Sequence, residues 1–167
     1  MPQPVGRTTV DLSDYPDLVV ILLGIRIDTL RGTATLLRTF LELRAVLASR
    51  PDGLLHHDFL AFAAWPIHVT TRLYWRDLTS VEHFARTAPP HLAWWRKFNR
   101  DPAGTTVWHE MYLRRGGIEG VYSRGDLGAG LPAFAPLRPA AGAMFSARGR
   151  LGLPDAPGRA PDEATGG

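Results

Sequence analysis

A histidine and a glutamate are adjacent in the segment WHEMY at positions 108–112, and both side-chain types move protons near neutral pH. The β-branched and aromatic residues of Thr105–Arg114 predict a strand around them. Side chains alternate along a strand, so positions 108, 110 and 112 share one face and positions 109 and 111 share the other. A neutral imidazole accepts the proton of an acidic phenol or of a carbon between two carbonyls, which makes His109 the first candidate for a general base. A core histidine with one hydrogen bond is the alternative.

Glu110 is the second candidate, either as a base or as the partner that orients a histidine. Its alternative role is an ion pair with one of the many arginines. Arg72 is a candidate for binding a carboxylate or enolate, because a guanidinium donates two parallel hydrogen bonds. It lies in a predicted strand, His68–Arg76, in which alternation groups His68, Thr70, Arg72, Tyr74 and Arg76 on one face.

Aromatic residues surround these candidates. Trp94, Trp95 and Phe98 recur at a helical spacing, and two adjacent tryptophans cannot both face the core equally. One of them is therefore expected to line a cavity for a planar ligand, with packing in the core as the alternative. The predicted catalytic residues are His109, Glu110 and Arg72, and the predicted substrate-binding residues are Tyr74, Trp94, Trp95, Trp108, Tyr112 and His68.

The elements that must position these residues follow from hydrophobic periodicity and breakers. Strands are predicted at 18–27, 54–65, 68–76, 105–114 and 118–123, and helices at 33–49, from 77 or 79 to 87, and at 91–99. Thr79 and Glu82 have the spacing of a capping box, and Asp77 is the alternative cap. The order β-α-β-β-α-β predicts an α+β fold, the ferredoxin-like split βαβ, with an antiparallel sheet and both helices on one face.

The other face of such a sheet also needs a cover, and a second copy of the chain is the simplest one. We therefore expect a homodimer whose two sheets form a barrel. The predicted division of the chain is a polar lead-in at 1–16, the α+β domain at 17–123, an extension packed on it at 124–153, and a disordered tail at 154–167.

Composition excludes several classes of function. The chain has 167 residues, enough for one domain, and no cysteine, which excludes disulfides and thiolate sites and agrees with a cytoplasmic protein. Its basic residues are interspersed with acidic ones, so nucleic-acid binding is not expected. The apolar run Leu18–Ile25 is too short to cross a membrane. No spacing of histidines indicates a metal, and no glycine-rich nucleotide fingerprint occurs.

The strand-into-helix stretch 73–85 resembles the dimeric α+β barrel proteins of the antibiotic-biosynthesis monooxygenase type. More narrowly, residues 5–153 resemble a bacterial and fungal monooxygenase-like family of largely unknown function, typified by a protein of the fumagillin pathway. The resemblance is carried by several short motifs: Gly6-Arg7, Thr9-Val10-Asp11, Val19–Ile25, Arg50–Leu54, Tyr74-Trp75-Arg76, Trp94-Trp95, Gly104–Glu110, Tyr112 and Gly142–Arg148.

This resemblance implies the barrel fold, the dimer and a small enzyme of the monooxygenase type. Its substrate would be an apolar, aromatic or enolisable small molecule, and many relatives act without metal or flavin. His109 would then form a carbanion that reacts with O2 directly. Two alternatives stay open: a non-catalytic dimeric domain that binds a small molecule, and a haem-dependent protein of the aldoxime dehydratase kind with His109 as the haem ligand.

Overall fold

The computed structural model describes residues 6–88, 93, 94, 96, 100, 101, 103–123 and 128–154. Seven strands are formed: β1 (Arg7–Val10), β2 (Val19–Ile27), β3 (Leu54–Ala64), β4 (Ile67–Trp75), β5 (Thr105–Leu113), β6 (Val121–Ser123) and β7 (Leu137–Pro139). The helices are α1 (Leu30–Ala48), α2 (Leu78–Thr87) and the short α3 (Ala147–Arg150), with 3₁₀ turns at Leu131–Ala133 and Gly142–Phe145. Ala93, Trp94, Arg96 and Arg100 are helical, in agreement with the predicted second helical segment.

The main sheet has the strand order β3-β4-β2-β5, and all of its pairs are antiparallel. With α1 between β2 and β3 and α2 between β4 and β5, this is the predicted ferredoxin-like split βαβ. The near-continuous apolar run of β2 is explained by its central position, because a central strand is buried on both faces.

One face of the main sheet packs against the helices, and we call it the helix face. Val19, Ile21, Leu73 and Trp75 lie there in one buried cluster, together with Leu43 and Leu47 of α1, Val81 of α2, and Trp94. Trp75 is only 1% exposed, which confirms the prediction that it points into the core, away from Tyr74.

A second, three-stranded sheet in the order β6-β1-β7 packs over part of the opposite face. Its residues form a separate buried cluster with Tyr74 of β4, which includes Val10, Leu12, Leu18, Leu131 and Ala135. The expectation that a second subunit alone covers this face is therefore wrong for the half near Tyr74. The polar lead-in also contains a strand: its buried Thr9 and Val10 give β1 an inner side that the polar composition concealed.

Helix α2 begins with a cap other than the predicted capping box. Asp77 is the N-cap, and its carboxylate accepts a hydrogen bond from the backbone N–H of Ser80 at 2.7 Å. Glu82 instead forms an ion pair with Arg86 one turn later. The aspartate begins the helix two residues earlier than Thr79 would, and a charged acceptor near the helix N-terminus is the stronger cap.

The start of α1 is fixed by the turn before β5. The carbonyl of Gly104 accepts hydrogen bonds from the backbone N–H groups of Asp28 and Thr29. Gly104 has a φ of +79°, and a Cβ there would lie 2.0 Å from the Thr29 hydroxyl, so only glycine fits. This contact holds the first turn of α1 beside Asp101 and Ala103.

Candidate functional site

The strand register places six of the nine predicted site residues on the face opposite the helices. Arg72 of β4 is opposite Leu22 of β2, which in turn is opposite Glu110 of β5. The neighbouring rows carry the other four: Tyr74 and Tyr112 in one row, and Trp108 and His68 in the next two. We call this surface the opposite face. The predicted alternation on β5, with Trp108, Glu110 and Tyr112 on one side, is confirmed by the register.

Asp58 of β3 connects three groups on the opposite face. Its carboxylate accepts hydrogen bonds from Arg72, at 3.2 Å from Nε and 2.8 Å from Nη2. His56 lies 2.9 Å from the other carboxylate oxygen, and the backbone N–H of Gly130 donates to both oxygens at 3.2–3.3 Å. Gly130 precedes the 3₁₀ turn that covers Tyr74, so Asp58 ties the second sheet to the first.

Burial and hydrogen bonding act in opposite directions on Asp58. Burial by itself would raise the pKa of Asp58, but hydrogen bonds from Arg72, His56 and Gly130 outweigh it and hold the pKa below its ordinary value. The carboxylate is therefore ionised at neutral pH and fixes the guanidinium of Arg72. The bonds to Asp58 use Nε and Nη2 of Arg72. A guanidinium has five N–H donors, so the N–H groups on Nη1 are not used by Asp58.

The ring of Tyr74 packs against the guanidinium of Arg72. This ring is 3% exposed, and the Arg72 guanidinium carbon lies 5.3 Å from the ring centroid. Burial raises the pKa of Tyr74 to about 12, so the phenol is neutral. Because Phe134 covers the ring at 5.2 Å between centroids, Tyr74 is a core residue in this structure, and a ligand on the open part of the face would not touch its ring.

Trp108 lies flat on the backbone of β2. A Cβ on Gly24 would be 2.1 Å from the indole, so this glycine makes the space in which the ring lies. The indole N–H donates to Nε2 of His68 at 2.8 Å. Phe62, which is 52% exposed, stacks on the indole at 5.7 Å between centroids. Trp108, His68 and Phe62 form an aromatic wall at one end of the opposite face.

Glu110 and Tyr112 are neighbours on the edge strand β5. The Tyr112 hydroxyl donates to the Glu110 carboxylate at 2.5 Å, and this bond raises the pKa of Tyr112. Both side chains are exposed. A carboxylate across an apolar floor from a guanidinium combines a proton acceptor with a group that stabilises an oxyanion.

The structure does not bring His109 together with Arg72. His109 is paired with Leu23 on β2, which belongs to the helix face, and its side chain is exposed on the edge strand. The expectation of one pocket that holds His109, Arg72 and Tyr74 between sheet and helices is therefore wrong, because a period of two sends positions 109 and 110 to opposite faces. Whether His109 has a catalytic role stays a prediction.

The structure describes one tryptophan of the predicted pair. Trp94 is buried in the core, and its indole N–H donates to Glu42 of α1 at 2.7 Å. The alternative role in core packing therefore describes Trp94, because its polar atom already has a partner on the neighbouring helix. Trp95 lies outside the described residues.

Sequence reasoning overlooked Asp58, His56 and Gly130. His56 and its neighbour His57 lie on opposite faces of β3, opposite Tyr74 and Leu73. The useful signal was the spacing of His56 and Asp58, two residues apart on a strand expected to pair with that of Arg72.

No group of three His, Asp or Glu side chains is arranged for a metal ion in the described part of the chain. On the opposite face, Nε2 of two histidines is already bonded to a neighbour and is not presented to a haem iron. His56 and His68 are bonded to Asp58 and Trp108. A cleft of about 410 Å³ beside α1 is lined by arginines, one aspartate and alanines, and no histidine lines it.

The sequence matches the monooxygenase af470-like family over residues 18–128. The chain belongs to this family. The matched region contains the whole main sheet with α1 and α2, and therefore Asp58, Arg72, Trp108 and Glu110, whereas Gly130 and Phe134 lie beyond it. None of the curated proteins matches the sequence.

Among solved structures, an aldoxime dehydratase (OxdRE) in complex with butyraldoxime is similar at 22% identity and a TM-score of 0.61, over 81% of this chain. The present chain spans only 39% of that protein. A cofactor-independent oxygenase from Streptomyces nogalater, SnoaB, has 16% identity and a TM-score of 0.42 over 57% of this chain and 91% of its own. These similarities concern the fold. No helix in the described residues is long and apolar enough to cross a membrane.

Proposed function

We propose that this protein is a small monooxygenase-type enzyme that binds an apolar, aromatic or enolisable molecule on the opposite face of its main sheet, and that it acts without metal or flavin. The observation that carries the proposal is the row Arg72–Leu22–Glu110 across three strands. Neighbouring strands are about 4.8 Å apart, so the two charged residues stand roughly 10 Å apart with an apolar residue between them. That spacing suits a planar ring system.

The reaction that fits this arrangement begins with a CH2 group made acidic by a neighbouring carbonyl or aromatic ring. The Glu110 carboxylate takes one proton, and the N–H groups on Nη1 of Arg72 hold the resulting enolate oxygen. The carbanion transfers electrons to O2 and forms a C–O bond, and the proton on Glu110 returns to the peroxide. Loss of the second C–H proton breaks the O–O bond. The sum is CH2 + O2 → C=O + H2O, in which O2 accepts the four electrons that the carbon loses.

The remaining residues position these two. Asp58 fixes the guanidinium of Arg72, and Tyr74 supports it from below. Tyr112 holds the Glu110 carboxylate through its hydroxyl. Trp108 closes one end of the floor, where its indole edge and the half-exposed Phe62 offer an aromatic contact to a planar ligand.

O2 uptake with a planar enolisable probe such as anthrone tests the proposal. We expect Glu110→Gln to lower the rate on the order of a hundredfold, the usual loss when a general base is removed. Glu82→Gln, on the exposed side of α2, is the matched control and is expected to keep the wild-type rate. A chelator is expected to change nothing.

The activity of His109→Ala shows which face of the main sheet carries the reaction. We expect it to retain activity within about twofold, since a twofold change is far below the loss typical of a general base. Loss of activity in His109→Ala with full activity in Glu110→Gln would overturn the assignment and move the chemistry to the helix face. Saturable binding of the probe without O2 uptake would leave a non-catalytic binding domain, and a Soret band after expression with haem precursor would favour the haem-dependent alternative.

The proposal includes a homodimer. Exposed apolar side chains on the edge strand β5 support it: Met111, Tyr112 and Leu113 are 38%, 49% and 41% exposed. Such an exposed edge is a natural place for a second copy to contact the sheet. Light scattering after gel filtration is expected to give twice the chain mass of 18.4 kDa. A mass of one chain at micromolar concentration would contradict the dimer. A cytoplasmic location, consistent with the absence of cysteine, completes the proposal.

A further inference from the structure

A cleft of about 410 Å³ opens between α1 and the helical residues Ala93, Arg96 and Arg100, on the other side of the molecule from the Arg72–Glu110 row. Among the described residues, four arginines line it, Arg31, Arg38, Arg96 and Arg100, with a single carboxylate, Asp101. The other two described lining residues are alanines, whose small side chains leave the space open. The cleft thus combines a concave shape with a concentration of one charge sign.

The wall formed by α1 is a stripe of polar residues at helical spacing, and three of its four members have a partner. Arg31 forms an ion pair with Asp101 at 2.9 Å, and the Thr35 hydroxyl donates to the carbonyl of Ala103. One turn beyond Arg38, Glu42 accepts the indole N–H of Trp94. Arg38 lies between these bonded groups and, within the described residues, no carboxylate is bonded to it.

The facing wall also carries arginines to which, among the described residues, no carboxylate is bonded. Arg96 and Arg100 are spaced four residues apart, so they are neighbours on one side of a helical segment, where like charges repel each other. Among residues 6–88, 93–94, 96, 100–101, 103–123 and 128–154, no acidic side chain is bonded to either of them. Asp101 is already bonded to Arg31 and to the backbone N–H of Ala103.

The described lining of the cleft has an excess of positive charge. Its four arginines and one aspartate give a formal charge of +3. A concave site with an excess of one charge sign focuses the electric field on an ion of the opposite sign.

We propose that this cleft binds a small molecule that carries a diphosphate group. Guanidinium groups donate two parallel hydrogen bonds to phosphate oxygens, and arginines that converge from two walls fit a group with oxygens on several sides. A diphosphate carries about three negative charges near neutral pH, which matches the +3 of the cleft. The volume is within the range of ligand pockets, roughly 300–1,000 Å³, and leaves room for an organic group beyond the phosphates.

Isothermal titration calorimetry with inorganic pyrophosphate at low salt tests the proposal. We expect saturable binding to one site per chain, and at least a tenfold loss of affinity in both Arg38→Gln and Arg96→Gln. Arg38→Lys keeps the positive charge but cannot donate two parallel hydrogen bonds, so we expect an intermediate loss of affinity for pyrophosphate. Arg44→Gln is the matched control: it removes the same charge from the same helix, but its guanidinium lies over the Phe40 ring, outside the cleft.

Two results would overturn the proposal. One is an absence of saturation up to millimolar pyrophosphate, and the other is an equal loss of affinity in Arg38→Gln, Arg96→Gln and Arg44→Gln, which would show a response to net charge only. Citrate and adenosine diphosphate are titrated in parallel. Tighter binding of citrate than of pyrophosphate would also contradict the diphosphate assignment, and tighter binding of adenosine diphosphate would show that the organic group occupies the remaining volume.

Discussion

Asp58→Asn tests the network that positions Arg72. The substitution keeps the size of the side chain but removes its charge and one of its two acceptor oxygens. The carboxylate receives two bonds from Arg72, a contact from His56 and one backbone N–H, from Gly130. The amide oxygen of asparagine can accept from one or two of these groups. The asparagine NH2 group is itself a donor, so it cannot accept a hydrogen bond from the remaining donors.

The size of the effect follows from the burial of the two partners. The Asp58 side chain is 10% exposed and that of Arg72 is 33% exposed. Breaking a fully buried pair costs about 3–5 kcal/mol, and an exposed pair contributes almost nothing. Because water reaches Arg72, we expect Asp58→Asn to lower the free energy of unfolding by about 2 kcal/mol, the range of one lost charge-assisted hydrogen bond.

Urea unfolding at neutral pH measures this loss as a shift of the midpoint at constant slope. Asp52→Asn is the matched control. Asp52 also bonds an arginine, Arg76, at 3.2 Å, but its side chain is 80% exposed, so no measurable shift of the midpoint is expected. Equal midpoints for Asp58→Asn, Asp52→Asn and the wild type would refute the view that Asp58 holds the two sheets together.

Acidification gives an independent check of the same carboxylate. Since the pKa of Asp58 is lowered in the folded protein, its ionised form stabilises the fold above the pKa of the unfolded chain, and this contribution is lost as the pH falls through the folded pKa. The difference in unfolding free energy between the wild type and Asp58→Asn is therefore expected to be constant from pH 7 to about pH 5 and to shrink below pH 4. A difference that grows on acidification would contradict this sign.

Three further predictions concern the aromatic residues and the C-terminal segment. Gly24→Ala forces the indole of Trp108 off β2. The overpacking and the lost hydrogen bond to His68 are expected to lower the free energy of unfolding in urea by about 1–3 kcal/mol and to change the near-ultraviolet circular dichroism. An unchanged spectrum would contradict this packing of the indole. Tyr74 is expected to ionise only at about pH 12, so absorbance at high pH is expected to show a late-titrating tyrosine that is absent in Tyr74→Phe. Arg150→Gln breaks the bond to Glu119 from a side chain that is 5% exposed, and it is expected to accelerate proteolysis of the segment 142–153; equal cleavage rates would refute that role.

The main sheet was predictable because its signals are local. The apolar run of β2, the alternation in β4 and β5, and the breakers around Gly53 and Gly104 all depend on neighbouring residues. The predicted faces of β5 were correct for the same reason. Such patterns require no knowledge of which segments meet in space.

The second sheet was not predictable in this way. β1 and β7 have four and three residues, and they pair across more than 120 positions of sequence. Thr9 is 1% exposed although threonine is polar, because its hydroxyl donates to the carbonyl of Gly120. A composition rich in threonine, proline and glycine therefore gave no sign of a buried strand.

The candidate site was predicted in its residues but not in its arrangement. Arg72, Trp108, Glu110 and Tyr112 share a face, as alternation requires. Asp58 was missed, because its importance comes from a partner on the neighbouring strand and from the backbone of Gly130, 72 positions away. Trp94 looked like a ligand contact until its hydrogen bond to Glu42 placed it in the core.

Nuclear magnetic resonance of the indole N–H groups tests the central claim, that ligand binds on the face opposite the helices, most directly. The chain has five tryptophans, and Trp108→Phe and Trp94→Phe assign the two relevant signals. Trp108 reports on the opposite face through its bond to His68, and Trp94 reports on the helix face through its bond to Glu42. On addition of anthrone, we expect a saturable shift of the Trp108 signal and an unchanged Trp94 signal. A shift of the Trp94 signal with the Trp108 signal unchanged would contradict binding on the opposite face and place the ligand between the sheet and the helices.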